Sequence, residues 1–127
     1  MVIVDTSAWM EFLRQPTAPI GREVAAFLRQ NQVLMVGLVL AEVLQGARGQ
    51  QAAALREQLS ALPYLEVDKA TWLRAAELSS TLRAQGQPTP LSDLVIGLQA
   101  LAGGHTVFAT DAHFQRVPGL QLHQVGT

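Results

Sequence analysis

The 127-residue chain contains no cysteine. This absence excludes a disulfide scaffold, a zinc site built on thiolates and a thiol nucleophile, and it fits a reducing cytosol. The chain opens with Met1–Val4 and meets Asp5 without any basic stretch, so it lacks the pattern of a signal peptide or a membrane anchor. We therefore expect a soluble, cytoplasmic protein.

Charge is scarce and nearly balanced. Lysine and arginine number 9 against 10 acidic residues, and the formal net charge is -1. Such a balance provides no overall basic surface for nucleic acid. The apolar share is 49%, too high for a disordered chain, and together with the length it predicts one compact unit.

Several motifs of nucleotide and phosphate chemistry are missing. Neither G-x-x-x-x-G-K nor G-x-G-x-x-G occurs, so a nucleotide-binding loop is not indicated. A phosphatase with an Asp-x-Asp nucleophile motif requires an acid at Ser7. A receiver domain requires a lysine after a late strand, whereas the only lysine is Lys69.

Short apolar segments alternate with longer segments of helical periodicity. The pattern predicts strands at Met1–Val4, Val33–Val36, Tyr64–Val67, Thr106–Ala109 and Leu120–His123. It predicts helices at Ala8–Arg14, Gly21–Gln30, Leu38–Leu44, Gln50–Leu62, Lys69–Gln85 and Leu91–Ala102, a helical turn at Asp111–Arg116, and N-caps at Thr6 or Ser7 and at Thr89. This alternation predicts the α/β class, as a three-layer sandwich whose central, mainly parallel sheet of about four to five strands is flanked by helices.

Four of the ten acidic residues interrupt the most apolar stretches, in MVIV-D, VLMVGLVLA-E, PLS-D-LVIGL and TVFAT-D. These residues are Asp5, Glu42, Asp93 and Asp111. An acid in a core-facing segment is costly unless it is paired or binds a cation, and no basic residue lies in these segments. Because strand ends and helix starts meet at the carboxyl edge of a parallel sheet, we expect the four to converge.

Each acid taken singly also fits a structural role. Asp5 and Asp111 can cap helices, and Asp93 can interact with the dipole of its own helix. Glu42 fits such a role least well, since it is the only charged residue among the twelve from Val33 to Leu44. Four such coincidences on separate elements favour a shared acidic site.

Oxygen ligands, with no cysteine and no well-placed histidine, favour Mg²⁺ or Mn²⁺ over zinc. Carboxylates that hold such cations are typical of metal-assisted phosphodiester cleavage. If metal ions neutralise the four acids, the rest of the chain carries a formal net charge of +3, because four of the ten negative charges are removed. The overall charge then no longer argues against an RNA substrate.

Four segments around these acids resemble the PIN domain, and more narrowly the VapC toxins of bacterial and archaeal toxin–antitoxin pairs. The segments are VIVDTSAWMEFLR, VGLVLAEVLQGAR, LSDLVIGLQA and ATDAHFQRVPGL, and they follow the family's order and spacing over the whole chain. The resemblance implies a single PIN domain over residues 1–127. One departure is visible, because many relatives carry a further acid where this chain has His113.

The resemblance implies a Mg²⁺- or Mn²⁺-dependent endoribonuclease that cleaves tRNA or rRNA through metal-activated water. Asp5, Asp93 and Asp111 are expected to hold metal, and Glu42 to complete the acidic ring. Candidates to donate hydrogen bonds to these carboxylates are Thr6, Ser7 and Thr110. The implied partners are a cognate VapB antitoxin, whose C-terminal segment fills the active-site groove, and a second copy of the chain.

Three further expectations concern an association surface, contacts with phosphate and an alternative function. The apolar first helix, with Trp9 and Met10, is a candidate patch for association. Candidate phosphate contacts are Arg14, Arg48, Arg83 and Arg116. The alternative function is a non-catalytic PIN-like protein-binding module, although retention of all four acids favours the enzyme.

Overall fold

Four parallel strands form the centre of the computed structural model, which describes residues 1–125. The strands are β1 (Val2–Val4), β2 (Val33–Val36), β3 (Tyr64–Leu65) and β4 (Thr106–Phe108). Their order in the sheet is β3-β2-β1-β4, so β1 lies between β2 and β4. Because every pairing is parallel, each connection must return across the length of the sheet, and helices make these crossings.

Six helices flank the sheet within residues 1–125, which confirms the α/β, three-layer prediction. They are α1 (Thr6–Arg14), α2 (Pro19–Arg29), α3 (Gly37–Gln45), α4 (Gly49–Ser60), α5 (Lys69–Ala84) and α6 (Leu91–Gly103). A short 3₁₀ helix follows β4 at His113–Arg116. Helix α1 packs on α2, and α5 packs on α6. Within the described part of the chain, no helix is long and apolar enough to cross a membrane.

Three local predictions were wrong. Asp5, and neither Thr6 nor Ser7, caps α1, and Pro90 rather than Thr89 occupies the N-cap position of α6. The Thr89 hydroxyl instead donates to the Gln87 carbonyl. The predicted strand at Leu120–His123 is, among residues 1–125, a single parallel bridge from Val107 to Leu122.

Burial follows from the layered arrangement. Every residue of β1 and β2 is buried, because a strand covered on both faces has no solvent side. Trp9 is only 2% exposed and packs edge-on against Phe12, so it belongs to the core. The expectation that Trp9 contributes to a surface patch was therefore wrong, whereas Met10 is 44% exposed.

Candidate acidic active site

The four predicted acids lie at the carboxyl edge of the sheet. Asp5 directly follows β1, and Asp111 lies three residues after β4, the strand paired with β1. The chain runs from β1 outward through β2 to β3 and then returns to the other side of β1, so its direction reverses between β1 and β4. Such a reversal opens a crevice at the carboxyl edge, where ligands bind in α/β sheets.

Asp5 is the most buried of the four, with an exposed fraction of 3%. Its Oδ2 accepts hydrogen bonds from the Ser7 hydroxyl at 2.9 Å and the Ser7 backbone N–H at 3.2 Å. Burial raises the pKa of Asp5 to about 6, although the bonds from Ser7 oppose the rise and the charge of Asp93 adds to it. Asp5 therefore serves as the N-cap of α1 and as a member of the cluster at once.

Asp93 and Asp111 share a histidine. Asp93 lies in the first turn of α6, the end of that helix nearest the carboxyl edge, because α6 leads into the start of β4. Its Oδ2 lies 2.8 Å from Nδ1 of His113, and Oδ1 of Asp111 lies 3.7 Å from the same nitrogen. Burial raises the pKa of Asp93, the bond to His113 lowers it, and the charges of Asp111 and Glu42 raise it further.

Glu42 reaches the site from the second turn of α3. Its Oε1 accepts a 2.8 Å hydrogen bond from the Thr6 hydroxyl. The charge of Glu42 contributes to the raised pKa of Asp93, and the charge of Asp93 contributes to that of Asp5. Asp93 thus lies within electrostatic reach of Asp5, Glu42 and Asp111, and the structure gathers the four predicted acids around it.

The three residues that were expected to donate hydrogen bonds to the carboxylates make different contacts. Thr6 holds Glu42, and Ser7 holds Asp5. The Ser7 hydroxyl also accepts a 3.0 Å hydrogen bond from the backbone N–H of Thr110, so it links the ends of β1 and β4. Thr110 thus contributes through its main chain.

His113 is a partner of the acids, although the sequence indicated no well-placed histidine and marked this position only as a departure from many relatives. Its imidazole lies between Asp93 and Asp111. The backbone N–H of His113 also donates to Oδ1 of Asp111 at 3.0 Å. The available signal was the D-x-H spacing, which begins three residues after β4 and places both side chains at the same turn.

The donor set fits a divalent cation. Ligand atoms from Asp93, Asp111 and His113 lie within 4.8 Å of one another. Two ligands bonded to one ion at about 2.1–2.3 Å are at most roughly 4.5 Å apart, which is close to this separation. Within residues 1–125, no lysine or arginine forms an ion pair with any of the four acids. A cation is therefore the charge partner that this cluster needs.

Three of the four arginines that were candidates for phosphate contacts have described contacts or line a groove, and these differ from one arginine to the next. Arg14 pairs with Glu11 on its own helix. Arg116 donates to the Thr89 hydroxyl at 2.9 Å and to the Pro88 carbonyl, so it ties the 3₁₀ helix to the segment before α6. Arg48 lines a groove of about 450 Å³ beside α1, α3 and α4.

Comparison with known proteins agrees with this architecture. The family model described as "PIN domain" matches residues 2–120. The chain is 30% identical over 129 residues to the VapC ribonuclease Mb1587 of Mycobacterium bovis and to ribonuclease VapC11 of Mycobacterium tuberculosis, covering 95% of this chain and 96% of each relative. It also matches a chain of the crystal structure of VapBC2 from Rickettsia felis bound to a promoter DNA fragment, with a TM-score of 0.78, 22% identity and coverage of 97% and 98%. The chain belongs to the PIN domain family.

Proposed function

We propose that the protein is a metal-dependent endoribonuclease and the toxin of a VapBC-type pair, acting on structured RNA such as tRNA or rRNA. The observation that carries this proposal is the convergence of four acids from separate elements on one edge, without a lysine or arginine partner among the described residues. The two mycobacterial relatives are named as ribonucleases, which supports the same activity.

Asp5, Asp93 and Asp111 would hold Mg²⁺ or Mn²⁺, with Glu42 completing the acidic ring. A divalent cation bound there supplies Lewis-acid stabilisation of charge on the phosphate and lowers the pKa of a water molecule. The protein's own contribution is positioning. Ser7 fixes Asp5, Thr6 fixes Glu42, and the Thr110 N–H holds Ser7 in place, so the carboxylates are arranged before substrate binds.

RNA cleavage tests the catalytic part of this proposal. Wild type, Asp5→Asn, Asp93→Asn and Glu57→Gln are incubated with total tRNA and Mn²⁺, with EDTA in parallel. Glu57 is exposed on α4 and serves as the matched control. We expect cleavage by wild type and by Glu57→Gln, and a loss of about 100-fold or more in the two site variants. Equal cleavage by all four proteins would point to a contaminating nuclease. Absence of cleavage by folded wild type would favour the non-catalytic binding module.

The same proposal includes an antitoxin partner. The groove beside Arg48 is also lined by Met10, Leu13 and Leu55, so it combines apolar walls with one positive charge. These walls suit an amphipathic segment that carries an acidic group. The VapBC2 structure from Rickettsia felis is a complex with DNA, and its fold likeness supports an assembly of this type.

Binding of a VapB-type antitoxin is tested by titrating the purified protein with the product of an adjacent small reading frame. Leu55→Glu places a charge in the groove, and we expect at least tenfold weaker binding. Ala53→Glu lies on the same helix outside the groove lining and should bind as wild type does. Equal affinity of Leu55→Glu and wild type would place the antitoxin elsewhere.

A homodimer is the remaining part of the proposal. Trp72 and Leu73 are neighbouring large apolar side chains on α5, 47% and 57% exposed. Apolar surface of this kind supports pairing with a second copy. Sedimentation equilibrium should show a dimer for wild type and a monomer for Leu73→Glu. A monomeric wild type at high concentration would contradict this part.

A further inference from the structure

The position of His113 is fixed from both ends of the 3₁₀ helix. Phe114, the next residue, is fully buried in the main core and anchors the backbone there. At the other end, Arg116 bonds to Thr89 and Pro88. The His113 N–H donates to Asp111, which fixes the turn between them. The imidazole is therefore held toward the acids.

Nδ1 is the ring nitrogen that faces the cluster. It lies 2.8 Å from Oδ2 of Asp93 and 3.7 Å from Oδ1 of Asp111. The 2.8 Å separation suits a hydrogen bond in which the Nδ1–H donates to Asp93. The same separations suit three ligands of one metal ion when the imidazole carries its proton on Nε2, because the Nδ1 lone pair is then free. The His113 side chain is 40% exposed, so a cation can reach the nitrogen from solvent.

Resting on the metal-dependent function proposed above, we propose that His113 is a direct ligand of the cation and makes this site select Mn²⁺ over Mg²⁺. Mg²⁺ demands near-ideal octahedral geometry and oxygen donors, whereas an imidazole nitrogen suits transition metals. Replacing one carboxylate of an all-oxygen set by imidazole also removes a negative charge, which weakens the attraction for a hard cation. Both effects shift the preference away from Mg²⁺.

The opposing interpretation is that His113 only orients Asp93 as a hydrogen-bond donor. In that case the imidazole never touches the metal, and its removal affects Mg²⁺ and Mn²⁺ to the same extent. Direct ligation instead places a nitrogen nucleus in the first coordination sphere of Mn²⁺. The two interpretations therefore differ in a spectroscopic signature as well as in selectivity.

Pulsed electron paramagnetic resonance on the full chain with substoichiometric Mn²⁺ provides the first readout. We expect ¹⁴N coupling to Mn²⁺ in wild type, replaced by ¹⁵N coupling after histidine labelling. The coupling should vanish in His113→Ala and persist in His105→Ala. His105 is the matched control because it contacts the amino group of Met1, at the start of β1 and so at the opposite edge of the sheet.

Calorimetric titration with MnCl₂ and with MgCl₂ provides the second readout. For His113→Ala we expect Mn²⁺ affinity to fall at least about tenfold and Mg²⁺ affinity to change much less. His113→Asp restores a carboxylate, and we expect it to strengthen Mg²⁺ binding relative to Mn²⁺. Because His113 is partly exposed, these variants are expected to fold, which circular dichroism checks.

Mn²⁺ bound in an Asp93-dependent manner without ¹⁴N coupling would overturn the proposal, as would an unchanged Mn²⁺ to Mg²⁺ affinity ratio in His113→Ala. Neither readout uses RNA. A protein that shows the coupling but cleaves no RNA refutes the proposed function and keeps the ligand assignment. A protein that cleaves RNA without the coupling supports the proposed function and refutes the ligand assignment.

Discussion

The hydroxyl of Thr6 donates a 2.8 Å hydrogen bond to Oε1 of Glu42, 36 positions away in the chain. Thr6 begins α1 two residues after the end of β1, and Glu42 lies in α3, which follows β2. The bond therefore joins the helices that leave two neighbouring strands at the carboxyl edge. Burial raises the pKa of Asp93, and the charge of the Glu42 carboxylate that this bond holds adds to the rise.

Replacing Thr6 with valine tests this connection, since the two side chains have similar shape. Thr6→Val leaves the half-buried Glu42 without its donor. We expect the free energy of unfolding of the metal-free protein to fall by about 1–3 kcal/mol, as for a buried acceptor that loses its hydrogen-bond donor. Urea unfolding measures the change. Thr81→Val, exposed on α5, should change it by less than about 0.5 kcal/mol. Equal values for both variants would mean that the Thr6 bond adds nothing to stability.

Asp5 should make the metal-free protein less stable as pH rises. Its pKa in the folded state is about 6, against an ordinary value of 3.8, so the folded state binds the proton more tightly. The stabilisation that comes from this tighter proton binding is fully present below about pH 4 and is lost as pH rises through 6. The loss lowers the free energy of unfolding by about 3 kcal/mol. Urea unfolding in EDTA from pH 4 to 7.5 measures it.

Asp5→Asn should remove most of this decline while still accepting the hydrogen bond from Ser7. Asp68 should affect stability with the opposite pH dependence. Its bonds from Thr71 lower its pKa, so its contribution is present at neutral pH and is lost on acidification. An Asp5→Asn variant with the pH slope of wild type would show that ionisation of Asp5 does not oppose folding.

Mn²⁺ should stabilise the folded protein through the acidic site. At about 100 times the dissociation constant, a ligand that binds only the folded state adds roughly 2.7 kcal/mol, or a melting-temperature rise on the order of 10 °C for a chain of this size. We expect Asp5→Asn and Asp93→Asn each to lose most of the rise, and Glu57→Gln to keep it. Thermal melting in EDTA and in Mn²⁺ compares the four proteins. A rise that survives both site substitutions would place the cation elsewhere.

Gly21 is required by the close approach of α2 to the segment after α1. A Cβ at this position would lie 2.8 Å from Cα of Pro16 and would also meet the Gln15 carbonyl oxygen. Both neighbours are backbone atoms, so the clash forces α2 to move, and we expect Gly21→Ala to cost about 1–3 kcal/mol of stability.

The matched control is Gly46→Ala, where a Cβ meets nothing within 4 Å and the backbone is already right-handed. Chemical unfolding should show no loss for this variant, and a slight gain is expected because alanine restricts the unfolded chain. Equal stability of the two variants would mean that α2 shifts at no cost.

The sequence by itself determined the class of the fold and the four acids. Each depends on a local pattern, because apolar runs of strand length alternate with helical periodicity and an unpaired acid stands out in such a run. Strand–helix alternation then implies a parallel sheet, and a parallel sheet gathers the residues that follow its strands at one edge. Asp5 and Asp111 could be assigned to that edge without coordinates.

Only the tertiary structure decided which side chains touch. The Thr6–Glu42 bond, the bridge from Ser7 to Thr110 and the contact of His113 with Asp93 join residues from 20 to 103 positions apart. Such pairings depend on strand order, helix rotation and the anchoring of Phe114, and local periodicity carries none of this information. Trp9 lies in the core and Met10 on the surface for a similar reason. Adjacent helical residues point about 100° apart, and only the packing of α1 decides which of them faces inward.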